Sequence, residues 1–407
     1  MSSAIHGTIT RIARRRGVIA VALFIFVLVG IYSEYWLAIV ANNWPPGHDF
    51  SLYYDAYHDA VNGQNPYESP AIGQSFIYHP FALILVAGVA LMPSTPALIF
   101  WSVGSAAAWA MTVGLSLRIV APDMDSSRLA LSCILSLSFG PFLETIHIGQ
   151  INTFAALALV VTLFLVLHER PYLAGASLGI AVTMKTSPLL VIGYFLVIRR
   201  WRVVTSAIAT LAVTTAISML VFFPSIIVQF VQRLGEIGGI GVHVSVWNQS
   251  LPSILGYLDA AIGTSLQATP EFQTGAPLLQ KSIVVVPLLA IGIQRLSRGQ
   301  ESRATLVVTF STFVVGMAIF SPIIWYHHSV FFALPLLLLL ASDRGIEPLV
   351  GIVALAGIQL SRPLEHAMMI IFGNHVGISV LVAQYLLFLY LIRNVEKVST
   401  TAVNSAS

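Results

Sequence analysis

YLAGASLGIAVTMKTSPLLVIGYFLVI, Tyr172 to Ile198, is apolar and long enough to cross a hydrocarbon core of about 30 Å, yet it contains Lys185 and Pro188. Proline removes a backbone donor and kinks a helix, and an ammonium group inside hydrocarbon is costly. The stretch therefore reads as one kinked span or as two half-helices meeting near Lys185, and the choice sets the sidedness of everything before and after it. Lys185 must snorkel, pair with an acid or hold an anion in a wet cavity. Snorkelling is harder from mid-span, which favours the anion.

The 407 residues are 57% hydrophobic and only 9% charged, with a mean hydropathy of +0.86. A soluble globular domain does not approach these values. Long apolar runs, rather than short alternating strands, predict an all-α polytopic membrane protein and not a β-barrel. The net charge of +3 implies no nucleic-acid partner, because the basic residues cluster at helix ends, where they set orientation. The one cysteine, Cys133, excludes an internal disulfide framework and a cysteine zinc site.

The basic segment RIARRRG (Arg11 to Gly17) precedes an apolar run from Val18 to about Val40, interrupted by Glu34. A signal peptide is the rival reading. The length of the run, the lack of an A-x-A site and the further helices that follow favour an anchor with a cytoplasmic N-terminus. Further apolar runs include Leu129 to Phe142 and Ala367 to Ile392, each read as one segment, and the whole pattern predicts about 11 to 13 transmembrane or re-entrant helices. The expected organisation is a cytoplasmic segment at 1–16, one transmembrane domain at 17–395 and a disordered tail at 396–407. Within the domain, 41–75 forms a first extracytoplasmic loop and 224–281 a second long loop. RRWR (Arg199 to Arg202), the group Arg295, Arg298 and Arg303, and the tail from Arg393 read as cytoplasmic.

Ionisable groups in such a chain each raise a functional question. HDFSLYYDAY (His48 to Tyr57) places Asp49, Tyr53 and Tyr57 at helical four-residue steps, so the first loop is expected to begin as an interfacial helix. Its acids read individually as solvated; Asp49 stands apart because it lies nearest the first helix. GPFLETIHIGQIN (Gly140 to Asn152) puts Glu144 and His147 three apart, a weak metal signal and equally a structural ion pair. Gln150 and Asn152 suit sugar hydroxyls or the cap of the next helix. In SPIIWYHHSVFFALP (Ser321 to Pro335), adjacent His327 and His328 diverge by about 100° on a helix, which speaks against one shared metal; either one faces a phosphate and the other lipid headgroups, or both pack at the interface. VHVSVWNQSLPS (Val242 to Ser253) and SRPLEH (Ser361 to His366) add amide, aromatic and cationic groups to which spacing gives no role.

The order HDF, NGQNPY, FIYHP, GQIN, MKTSP with RRWR, WNQS and SPIIWYHH resembles the polytopic glycosyltransferases of family 87, over about Asp49 to Pro335. That resemblance implies a GT-C-like helical bundle that uses a polyprenyl-phosphate sugar and works outside the cytoplasm at the plasma membrane. It implies Asp49 as the base and His327 or His328 at the donor phosphate, where the anion reading of Lys185 would place that lysine too. Tyr78, His147, Gln150, Asn152 and Asn248 are grouped as sugar- or acceptor-binding candidates. Tyr78-His79-Pro80 departs from the tyrosine and two prolines often found in relatives. Mannose is the sugar implied, moved to a lipid-linked or glycan acceptor by inverting displacement. A phosphate leaving group needs no strong acid, so one carboxylate suffices where glycoside hydrolysis takes a pair. No cofactor or metal is assigned, a divalent ion being left open, and the oligomeric state is not read. The rival readings are a secondary transporter or flippase, with the same polar groups as a path, and a scaffold subunit that needs none of them.

Overall fold

A computed structural model describes residues 24–32, 45–68, 75–239, 241–245, 247–298, 302–342, 346–372 and 378–404. The expected N-terminal segment 1–16 and Glu34 lie outside the described residues. Among the described residues five apolar stretches are long enough to cross a membrane: Ser94–Val120, Trp201–Val221, Arg303–Phe320, and Pro270–Arg295 and Ile378–Val395 within two longer helices. Five shorter apolar helices accompany them, including Asn152–Leu167 and Pro171–Met184. The protein is an all-α polytopic membrane protein. Arg303–Phe320 is the central helix, buried from Thr305 to Ile319, as expected of a helix apolar on every face.

The stretch Tyr172 to Ile198 is two half-helices, Pro171–Met184 and Leu189–Val197. Lys185 caps the first in an extended conformation (φ −158°, ψ 134°), and Pro188 begins the second. Both ends of the stretch lie at the same end of the bundle. Ser206 Oγ, one turn into Trp201–Val221, donates to the carbonyl of Tyr172 at 2.6 Å. The chain thus rises to Lys185 and returns, so the segments on its two sides share one face.

Two runs read as single segments are divided. Leu129 to Phe142 bends by 59° between Ser126–Ser136 and Gly140–Ile148. Pro141 opens the second helix, where its missing N–H costs nothing. Gln359 satisfies the freed backbone groups, accepting from Gly140 N at 2.9 Å and donating to Ser138 O at 3.1 Å. The run Ala367 to Ile392 likewise falls into Ser361–Phe372 and Ile378–Asn404. The stretch 224–281, read as a loop, holds the helices Ile226–Gly239 and Leu251–Ala261 and the start of Pro270–Arg298. Ile226–Gly239 is amphipathic, with Val228 and Val231 exposed and Phe230 and Arg233 buried, so it shows no continuous apolar run. The backbone ladder of Ile378–Asn404 also carries helix past 396, where the sequence predicts a disordered tail.

Orientations follow from contacts between helices. Trp101 Nε1 donates to Gly149 O at 2.8 Å, so Ser94–Val120 starts level with the GQ corner and ends at Arg118 on the far side. Gln280 Nε2 donates to Ile319 O and Ser321 O at 2.6 and 2.8 Å, while Arg295 Nη2 of the same helix reaches Val395 O at 2.7 Å. Arg303–Phe320, with 18 residues, therefore runs about 27 Å from the Arg303 end to the Ser321 end.

Candidate active site

At the Ser321 end lies a cavity of about 180 Å³, lined among others by Asp49, Tyr53, Tyr78, Gln150, Lys185, Trp325 and His328. Asp49 is in the first turn of His48–Val61, a helix that follows Pro45-Pro46-Gly47. Gly47 takes a left-handed conformation (φ 76°), and its N–H donates to His147 O at 2.7 Å. A Cβ there would meet Leu98 at 2.6 Å, so glycine lets this helix start against the end of Gly140–Ile148.

Gly140–Ile148 itself ends on Gly149, also left-handed (φ 74°). The turn delivers Gln150 to Asp49. Gln150 Oε1 accepts from Tyr53 Oη at 2.7 Å, Tyr78 Oη at 3.3 Å and Ile151 N at 3.0 Å. Three donors on one oxygen fix the amide orientation, and Nε2 then donates to Asp49 Oδ2 at 2.5 Å. Burial, and then the Asp49 charge, push the Tyr78 phenol up to about 12. Burial raises Tyr53 too, so both hydroxyls keep the hydrogens they donate. Burial also pushes the Asp49 carboxyl up from its ordinary range. His327, His48, the Gln150 hydrogen bond and Lys185 oppose this.

Across the cavity, Lys185 Nζ donates to Asn152 Oδ1 at 3.1 Å and lies 2.8 Å from His328 Nε2. It also lies 5.6 Å from the Phe331 ring centroid. The N–H of Trp325 donates to His328 Nδ1 at 3.3 Å, so a neutral ring carries its hydrogen on Nε2. Two hydrogens cannot face each other across 2.8 Å, so one nitrogen of this pair accepts from the other, and the remaining N–H groups of Lys185 are the donors that an anionic acceptor would meet.

Behind the cavity, His327 Nδ1 lies 3.0 Å from Glu144 Oε1. Glu144 Oε2 accepts from Arg362 Nη2 at 2.6 Å and Nε at 3.2 Å. Arg362 Nη1 donates to Glu365 Oε2 at 2.7 Å.

The model of glycosyltransferase family 87 matches residues 76–322. The chain belongs to glycosyltransferase family 87. Two curated relatives within reach are both named polyprenol-phosphate-mannose-dependent alpha-(1-2)-phosphatidylinositol pentamannoside mannosyltransferase. The one from Mycolicibacterium smegmatis is 29% identical over 267 residues, 65% of this chain and 60% of the relative. The one from Mycobacterium tuberculosis is 28% identical over 307 residues, 74% of this chain and 64% of the relative. The chain thus spans less than two thirds of the length of either.

The family match takes in Tyr78, Gln150 and Lys185 and leaves Asp49, His327 and His328 outside its bounds. In space Asp49, Tyr78, Gln150, Lys185 and His328 nonetheless line one cavity. Asn152 is buried at the start of its helix, with Oδ1 accepting from Lys185. Asn248 serves the fold: Oδ1 accepts from Ile324 N at 3.0 Å and Ser250 N at 3.2 Å, and Nδ2 donates to His243 O at 2.8 Å. His147 contributes its backbone carbonyl to Gly47 and does not line the cavity.

The expectation that one of His327 and His328 meets lipid headgroups is corrected, for both are buried, at 1% and 6% exposure. They sit in the 3₁₀ turn Tyr326–Phe332, which packs inside the bundle and turns one ring to Lys185 and the other to Glu144. Glu144 and His147 form no metal cluster, and no group of three or more such ligands occurs among the described residues. Arg362 and Glu365 carry no role from spacing alone. Their i,i+3 interval signals a local pair, but nothing in the sequence links them to Glu144, 218 residues away from Arg362.

Proposed function

We propose that this chain transfers a hexose, mannose, from a polyprenyl-phosphate donor to a hydroxyl of a lipid-linked or glycan acceptor by inverting displacement. The observation that carries the reading is that Asp49 faces Lys185 and His328 across one cavity. The acceptor oxygen attacks the anomeric carbon and its proton passes to Asp49. The bond from that carbon to the phosphate oxygen breaks, and polyprenyl phosphate leaves with the electron pair. Lys185, hydrogen-bonded to His328, stabilises its charge. A β-linked donor then gives an α-linked product, in keeping with the alpha linkage in the relatives' names. The cavity is smaller than the roughly 300–1,000 Å³ of drug-sized ligand sites, which suits one sugar ring with the lipid chain outside.

The side of the membrane follows from charge. Arg118, Arg170, Arg199, Arg200 and Arg303 stand at helix ends opposite the cavity. By the positive-inside rule this supports a cavity that opens outside the cytoplasm, at the plasma membrane.

The test is transfer of radiolabel from polyprenyl-phosphate mannose by purified protein in a lipid extract. Asp49→Asn is expected to lower turnover by about 10²- to 10⁴-fold. Near-normal transfer by that variant defeats the assignment of the base. Movement of the labelled lipid across vesicles without transfer favours a flippase.

A further inference from the structure

We propose that Arg362 is a positioning residue of this site, acting through Glu144 to hold His327 and the helix that delivers Gln150 to Asp49; the inference rests on the transferase reading above. Arg362 stands outside the family match and outside the cavity lining. The residue is 2% exposed, and its side chain is forked between two carboxylates, with Nη2 and Nε on Glu144 and Nη1 on Glu365. The guanidinium lies between two rings, 5.0 Å from the Trp247 centroid and 4.8 Å from that of Tyr326, the neighbour of His327. A planar fork clamped in this way holds the Glu144 carboxylate in one orientation, which an ammonium does not reproduce.

Glu144 acts in two directions. Its Oε1 accepts at 3.0 Å from His327, and because a carboxylate only accepts, His327 Nδ1 carries the hydrogen. Its helix ends on Gly149 and delivers Gln150 to Asp49. The clamp therefore fixes His327 and the Asp49 partner as one body. Glu365 extends it to the segment lining the cavity: its Oε1 accepts from Gln249 Nε2 at 3.3 Å, and Gln249 N donates to Ile324 O at 2.7 Å. Glu144 and Glu365 place two carboxylates against one guanidinium in a buried cluster, so both depend on Arg362 for their counter-charge. His327 is also the group that most opposes the effect of burial on Asp49.

The experiment is a double-mutant cycle on kcat with Arg362→Met, Glu144→Gln and the pair, in protein shown to be folded by thermal unfolding and by donor binding. Arg362→Met is expected to lower kcat by about 10- to 100-fold with the donor KM changed less than about 3-fold, and to cost no more in the Glu144→Gln background. Additive losses, or a loss in KM alone, overturn the proposal and leave Arg362 a structural residue. If Arg362→Met does not accumulate folded, the cycle is run with Arg362→Lys and judged in the same way, with a smaller loss expected. Ring ¹⁵N spectra of histidine-labelled protein, with His327→Gln for assignment, ask the question without turnover. The His327 signals are expected to move in Arg362→Met, and unchanged signals overturn the proposal. Failure of wild-type transfer strikes the transferase reading, whereas wild-type transfer with a neutral Arg362→Met strikes only this one.

Discussion

Gln150 donates to Asp49 across 101 residues, at 2.5 Å, with its amide oriented by two tyrosines. Read from the sequence as a sugar ligand, Gln150 has both ends of its amide engaged within the protein. Gln150→Leu is expected to lower kcat about 10- to 100-fold, since a hydrogen bond to a charged group contributes about 1.5–3 kcal/mol. The acid limb of the rate profile is expected to move to higher pH. A raised donor or acceptor KM with an unchanged kcat would return Gln150 to the role of sugar ligand.

The wild-type pH profile carries its own sign. Asp49 must be ionised to act as base, and burial raises its pKa. Activity is therefore lost as pH falls through that raised value, starting above the pH at which an ordinary aspartate protonates. An acid limb at the ordinary aspartate position would mean that Asp49 is solvated in the working protein.

Lys185→Met is expected to lower kcat by about 10²- to 10³-fold, the loss typical of one donor to a developing oxyanion. Lys185→Arg should recover little, because a forked guanidinium does not fit between Asn152 and His328, whose polar atoms lie 3.1 and 2.8 Å from Nζ. Full recovery by arginine would show that charge alone is needed. Turnover assays on all three proteins decide this.

Gly149→Ala tests the corner that carries Gln150. Its φ of +74° and a Cβ placed 2.5 Å from Phe50 Cβ make any side chain strained there. A loss of about 1–3 kcal/mol is expected. It should appear as a lower Tm together with lower kcat, because the first turn of the Asp49 helix must shift. Unchanged melting would show that the corner relaxes freely.

The membrane class and the helical architecture were legible in the sequence, because hydrocarbon does not tolerate open backbone, and Lys185 was conspicuous because hydrocarbon does not tolerate idle charge. Breaks inside apolar runs were less so. Lys185 and Pro188 mark one plainly, whereas the bend at Ser138 depends on Gln359, more than two hundred residues on, to satisfy the freed backbone. Ile226–Gly239 was hidden because an amphipathic helix does not form an apolar run.

By itself the sequence determined which groups are too costly to stand in a membrane without purpose, since that cost depends on residue type and local hydropathy. Only the tertiary structure decided how they pair: His328 with Lys185, His327 with Glu144, Arg362 with both carboxylates, and Gln150 with Asp49 rather than with solvent. Those pairings join helices far apart along the chain. Hydrogen-bond geometry and burial select among donors and acceptors that look interchangeable in a linear sequence.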